Sequence, residues 1–306
     1  MKKIIASYAS WIALLLLLIL CAATCESFRI PANYIVMLRQ ACYTGIIAIG
    51  MTFVIGAGGI DLSVGSLFAL SGVIAFKIAP FCCTSPAGQL LCLAAIALAA
   101  GAAGGALNGA LAGFAKLPPF IVTLGTMSIF RSLALYLGDA GRVSLTNPLL
   151  TAIDSGATLW IFLFSGTAGA LILSRTVFGV RVRAVGSNEK VARFSGINTG
   201  LIQFKTYLLT GMLCALSALL WGGRLGGISS ANDGTGYELD AIAAVIVGGS
   251  SMSGGKAAVT GTVAGILILT VISNALVAWG ISPRLQECVK GAVIIIAVLS
   301  QYRKER

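Results

Sequence analysis

Apolar residues run in blocks of membrane-span length along almost the whole chain, broken by short passages rich in glycine, proline or charge. A helix crosses a bilayer core with about 20 apolar residues. On that measure the pattern predicts helices near 8 to 25, 37 to 57, 64 to 80, 88 to 115, 119 to 138, 157 to 174, 201 to 222, 239 to 251, 258 to 280 and 286 to 301. The expected fold class is therefore all-α: one polytopic transmembrane bundle over 1 to 306, with broken or re-entrant helices and about ten spans. The block at 239 to 251 has only 13 residues and reads either as the eighth of ten crossings or as a re-entrant half-span whose backbone must be covered by protein. The first block follows Lys2 and Lys3, but its apolar run exceeds the core of a secretory signal, so it reads as a retained helix. Within 88 to 115, Gly101, Gly105, Gly109 and Gly113 recur at every fourth position, a bare strip on which another helix backbone can lie. Gly261 and Gly265 repeat the pattern.

Composition agrees with a membrane protein: 58% of residues are hydrophobic and 10% charged, against about a quarter charged in soluble domains, and mean hydropathy is +0.96. The net charge of +11 does not point to nucleic acid, because the basic residues are spread over short connections where they orient a protein in a bilayer. With an even number of crossings, the side holding both termini collects Lys2, Lys3, Lys116, Arg175, Arg181, Arg183, Lys190, Arg193, Lys205, Lys256, Arg303, Lys304 and Arg306. The other side holds Arg29, Lys77, Arg142, Arg224 and Arg284, and Arg39, Arg131 and Lys290 fall within spans. The positive-inside rule then makes both termini cytoplasmic. The outer side is mildly acidic, with Glu26, Asp139, Asp154, Asp233, Glu238, Asp240 and Glu287. Its longest loops, 139 to 156 and 223 to 238, suit either a partner or plain solvated connection. Histidine is absent, which removes the commonest general base and the usual zinc ligand. The eight cysteines lie mostly in apolar runs without CxxC pairing and read as packing residues. An enzyme, a metal and a cofactor are not expected.

The one long polar passage, 174 to 200, carries Arg175, Arg181, Arg183, Lys190 and Arg193 against Glu189. Asn188 suits a helix N-cap, Glu189 the first turn and Arg193 the last, with Gly196 as the stop. A helix of barely two turns is not stable alone, so it needs a groove to sit in or an anionic lipid surface to lie on. Two glycine-rich stretches interrupt other spans. GGIDLSVGS, at 58 to 66, places Asp61 and Ser63 where either can cap the following helix or where Asp61 can line a path or gate. GGSSMSGGK, at 248 to 256, resembles a phosphate loop but fails the pattern: Ser250 stands where the first glycine belongs, and Ala257 where a Ser or Thr must follow Lys256. The two stretches share paired glycines, Ser63 with Ser253 and Gly65 with Gly255, as either an internal repeat or chance would produce. Polar groups within spans give the path candidates Asp61, Asn108, Thr123, Thr126, Arg131 and Asn274. Bonds to helix backbone compete for most of them, and an ion pair for Arg131.

GGIDLSVGS, LPPFIVTLGTMSIFR at 117 to 131, RAVGSNEKVARFSGIN at 183 to 198 and ELDAIAAVIVGGSSMSGGK at 238 to 256 together resemble the inner-membrane permease subunits of ABC importers for monosaccharides, the ribose, xylose, galactose and galactofuranose group. The resemblance implies a permease in the bacterial inner membrane that works with a nucleotide-binding ATPase subunit, an extracytoplasmic sugar-binding protein and a second permease copy or paralogue. It also implies that Gly186, Asn188, Glu189, Ala192 and Gly196, flanked by Arg183 and Arg193, dock on the ATPase. Val191 stands where the family usually has the first of two alanines, a change in packing rather than charge. The rival reading is a secondary transporter driven by an ion gradient, with Asp61 as the coupling carboxylate.

Overall fold

The computed structural model describes residues 9 to 282 throughout, and beyond them 285, 286, 288 to 293, 295 and 299. The expected last span, 286 to 301, is described only in part, and Lys2, Lys3, Arg284, Glu287, Arg303, Lys304 and Arg306 lie outside the described residues. The helices are α1 (Ala9–Thr24), α2 (Pro31–Gly56), α3 (Val64–Cys82), α4 (Pro86–Gly109) with a π-helical turn (Ala110–Phe114), α5 (Pro119–Leu137), α6 (Pro148–Arg175), α7 (Val177–Ser187), α8 (Glu189–Phe194), α9 (Thr199–Leu225), α10 (Tyr237–Val247) and α11 (Val259–Ala278). Among them α2, α3, α4 with its π turn, α5, α6, α9 and α11 are long and apolar enough to cross a membrane. The shorter α1 is also apolar.

Proline opens α2, α4, α5 and α6, where its missing N–H has no helical partner to lose. α6 begins nine residues before the sequence pattern places it. Asn147 caps it by accepting from the amides of Leu149 and Leu150. Asp154, expected in an outer loop, is instead buried in this helix and accepts hydrogen bonds from the Tyr43 hydroxyl at 2.5 Å and from Thr158 at 3.0 Å. Polar residues satisfied inside the bundle had diluted the apolar signal there. Parts of the two segments expected as the longest outer loops meet as a small ribbon: β1 (Arg142–Ser144) pairs antiparallel with β2 (Gly227–Ser229), Arg142 opposite Ser229. The expected loop residue Arg224 ends α9, and its guanidinium lies over the Tyr43 ring, 5.7 Å from the centroid.

From Ala41 to Gly56 every residue of α2 is buried, so this helix, apolar on all sides, forms the centre of the bundle. The glycine strip of α4 packs on α9. A β-carbon on Gly101, Gly105, Gly109 or Gly113 would run into the backbone of Gly211, Tyr207, Phe204 or Gly200 respectively. Gly261 and Gly265 likewise bring α11 against the backbone of Gly248 and Ala244, at the end of α10. α10 has 11 residues and Ala241 to Ile246 are all buried, so protein covers the half-helix as its length demands. On the outside, Leu15, Leu16, Ile121, Phe164 and Tyr136 are exposed, as lipid contact requires.

Candidate functional site

The passage 174 to 200 folds as α7 and α8. Asn188 caps α8 by accepting from the Val191 amide at 3.0 Å. At the other end Gly196 takes φ +80, and the Ile197 amide returns to the Ala192 carbonyl at 3.1 Å, a left-handed stop that suits glycine. Ala192 is buried beneath α8, while Lys190, Val191, Arg193 and Phe194 face outward, Phe194 being 92% exposed. Two contacts tie this segment to the bundle. Glu189 Oε1 accepts from Lys116 Nζ at 2.5 Å and from Thr199 Oγ1 at 2.9 Å, and Lys116 also reaches Gln203 Oε1 at 3.2 Å. The Lys116 hydrogen bond holds the Glu189 carboxyl below its ordinary value, against a smaller opposing effect of burial. Lys116 sits with φ +56 between the π turn and α5. The second contact is at Gly186, where a β-carbon would strike the Gly56 carbonyl and the Gly255 amide. Gly255 itself donates to Gly56 O at 3.1 Å. Thus GGIDLSVGS, GGSSMSGGK and the α7–α8 segment meet backbone to backbone. Arg183 is partly buried on α7.

The break between α2 and α3 turns at Gly58, φ +81. Neither expected cap bonds the first turn of α3 through its side chain. Asp61 Oδ1 instead accepts from the Ser63 amide at 2.9 Å and from Ser63 Oγ at 2.7 Å, and Asn108 Nδ2 donates to Ser63 Oγ at 2.7 Å. These three side chains are at most 1% exposed, so they sit in the core rather than on an open surface. Beside them the Tyr207 hydroxyl donates to Ile60 O at 2.9 Å. Thr123 and Thr126 bond to carbonyls of their own helix, at Pro119 and Thr123. Asn274 and Asn33 exchange amide hydrogen bonds of 3.0 and 3.2 Å between α11 and α2.

Arg131 is different. It lines an open groove of about 390 Å³ with Ser66, Ser128, Ser132, Thr235 and Glu238. Its Nη1 donates to the carbonyls of Ser230 and Asp233 at 2.9 and 3.0 Å, so backbone oxygens take the place expected for a carboxylate partner. Asp233 meanwhile accepts from the Ser229 amide at 2.7 Å. The groove and α8 lie towards opposite ends of α9, which has 27 residues and is about 40 Å long at 1.5 Å per residue. A larger cavity of about 510 Å³ beside α2, α6 and α9 is walled by Phe53, Trp160, Phe164 and aliphatic side chains, with Ser165 its one hydroxyl. It offers little to a hydrophilic solute. Sequence reasoning missed Lys116 as the partner of Glu189, and Ser128 and Ser132 as neighbours of Arg131. The four-residue spacing of those serines in an apolar helix was the available signal.

Residues 33–298 match the family described as branched-chain amino acid transport system / permease component. The chain is 35% identical to the ribose import permease protein RbsC of Bacillus subtilis (strain 168), covering 96% of this chain and 92% of that one. It is 37% identical to RbsC of Escherichia coli (strain K12), over 97% and 94%. To the galactose/methyl galactoside import permease protein MglC of Escherichia coli (strain K12) it is 34% identical, over 94% and 91%. No solved structure matches.

Proposed function

The chain belongs to the branched-chain amino acid transport system permease family, and from that premise we propose that it is the membrane-spanning permease subunit of an ATP-driven importer for a monosaccharide. The observation that carries this is the likeness to ribose and galactose import permeases along nearly the whole chain. Those relatives, rather than the family's description, give the substrate class. The Arg131 groove supports it, because a guanidinium, a carboxyl and several hydroxyls offer both donors and acceptors to a polyhydroxylated solute.

In this reading α8 sits on the cytoplasmic face and docks on a nucleotide-binding ATPase subunit. Val191, Arg193 and Phe194 are the outward-facing contacts, and Gly186, Asn188, Glu189, Ala192 and Gly196 shape the segment. Movement of α8 has two routes into the bundle. One runs from Glu189 to Lys116 and on to α5, which carries Arg131. The other runs from Gly186 to the α2–α3 break. Sugar arrives on the opposite face from an extracytoplasmic binding protein, and a second permease copy or paralogue closes the open side of the groove. The chain supplies passage and no covalent chemistry.

The test is reconstitution in liposomes. The chain with its ATPase and binding protein should take up sugar only with ATP, and the chain alone should take up none under an ion gradient. Gradient-driven uptake by the chain alone would overturn the proposal in favour of secondary transport.

A further inference from the structure

We propose that Asp61 is a proton-binding site: its carboxyl is held protonated, Oδ2–H donating to Asn108 Oδ1, so that an uncharged ring of hydrogen bonds pins the break between α2 and α3. Ser63 Oγ spends its one proton on Asp61 Oδ1 and accepts from Asn108 Nδ2. Two acceptors are left, Asp61 Oδ2 and Asn108 Oδ1, both buried and both without a donor among the described residues. Ser63 Oγ bridges the two side chains, 2.7 Å from Asp61 Oδ1 and 2.7 Å from Asn108 Nδ2, and so holds the Asn108 amide beside the Asp61 carboxyl. Two acceptors repel unless a proton lies between them, and buried acceptors without donors are costly. One proton satisfies both atoms.

Charge points the same way. Among the described residues, Ser63, Asn108, Tyr207 and Cys214 interact with the Asp61 carboxyl, and none of these is a cation. An ionised carboxylate in that setting would be buried with no opposite charge, the arrangement that low-dielectric surroundings penalise most. Turning the Asn108 amide over would direct Nδ2 at Asp61, but it would leave that uncompensated charge in place. A carboxylic acid removes it.

The ring lies between contacts that reach towards both ends of the bundle. Just before it, Gly58 faces the Cα of Gly186 in α7, at 3.6 Å from where a Gly58 β-carbon would stand. Just after it, Gly65 abuts the backbone of Gly234 and the carboxyl of Glu238 beside the Arg131 groove. A neutral Asp61 fixes the turn between these contacts without placing a negative charge in the membrane interior. The proposal rests on the hydrogen bonds and burial of Asp61, Ser63 and Asn108 and stands apart from the transport reading.

The test is infrared difference spectroscopy on the purified full chain in lipid nanodiscs, wild type against Asp61→Asn. The expected result is loss of a protonated-carboxyl C=O band with no loss of a carboxylate band. Asn108→Leu keeps Asp61 and should shift that C=O band to higher frequency, because the bonded O–H loses its acceptor. An amide copies the neutral acid's donor and acceptor, so Asp61→Asn should melt within about 3 °C of wild type, while Asp61→Ala melts lower. Loss of a carboxylate band in Asp61→Asn overturns the proposal, and so does an Asp61→Asn protein as destabilised as Asp61→Ala.

Discussion

Glu189 owes its position to a residue far from it in sequence. Asn188, Arg193 and Gly196 play the cap, last-turn and stop roles that local rules assign. Glu189 also suits the first turn, but its main partner is Lys116, 73 positions away. No spacing rule reaches that far, so the local part of the segment was legible and its attachment was not. Glu189→Lys sets two cations against each other, and ATP hydrolysis stimulated by sugar-loaded binding protein should be lost while membrane insertion persists. The pH dependence has a definite sign. Because the Glu189 carboxyl is held below its ordinary 4.5, the contact is fully present above that value and is lost as pH falls through the lowered one. Melting of wild type minus Glu189→Gln between pH 7 and pH 3 should show a difference that shrinks on acidification. Both side chains are nearly half exposed, so it amounts to at most about 1 kcal/mol. On the far face, Arg131→Lys keeps the charge but loses the longer guanidinium whose Nη1 donates to the Ser230 and Asp233 carbonyls. Sugar uptake should fall by about tenfold, the scale of one charge-assisted hydrogen bond, with the protein still folded.

Glycine does different work in different elements. At Gly196 a β-carbon would meet nothing within 4 Å, and the constraint is the φ of +80. Gly196→Trp therefore strains the end of α8 by about 1–2 kcal/mol without disturbing the bundle, and it should lower stimulated ATP hydrolysis at normal membrane yield. At Gly105 the constraint is space, since the Tyr207 carbonyl and Leu208 Cα lie against it. Gly105→Leu should separate α4 from α9 and abolish a monodisperse peak in size-exclusion chromatography. Gly125, on the open face of α5 with nothing within 4 Å, is the control. Gly125→Ala should leave that peak intact and raise stability by up to about 1 kcal/mol. The α4 strip was legible because helix periodicity alone puts every fourth residue on one face. The start of α6 was not, because Asp154 and Thr158 are polar residues satisfied by one another and by Tyr43, which only the folded packing reveals.

Across the whole molecule, the blocks of apolar sequence were enough to expect an all-α membrane bundle, with a short helix near α10 as either a span or a half-span, because both follow from length against bilayer thickness. The route between its ends was not visible in that pattern. It depends on Gly186 meeting Gly56 and Gly255, and on Lys116 linking α8 to α5, contacts between residues far apart in sequence that only the folded packing brings together. The central claim is that α8 couples an ATPase to this bundle through Glu189 and Lys116. Its most direct test is ATP hydrolysis by the reconstituted importer, with and without sugar-loaded binding protein, for wild type, Glu189→Lys and the exchanged pair Lys116→Glu with Glu189→Lys. The account predicts stimulation in wild type, none in the single variant and recovery in the exchanged pair, whereas full stimulation in Glu189→Lys would contradict it.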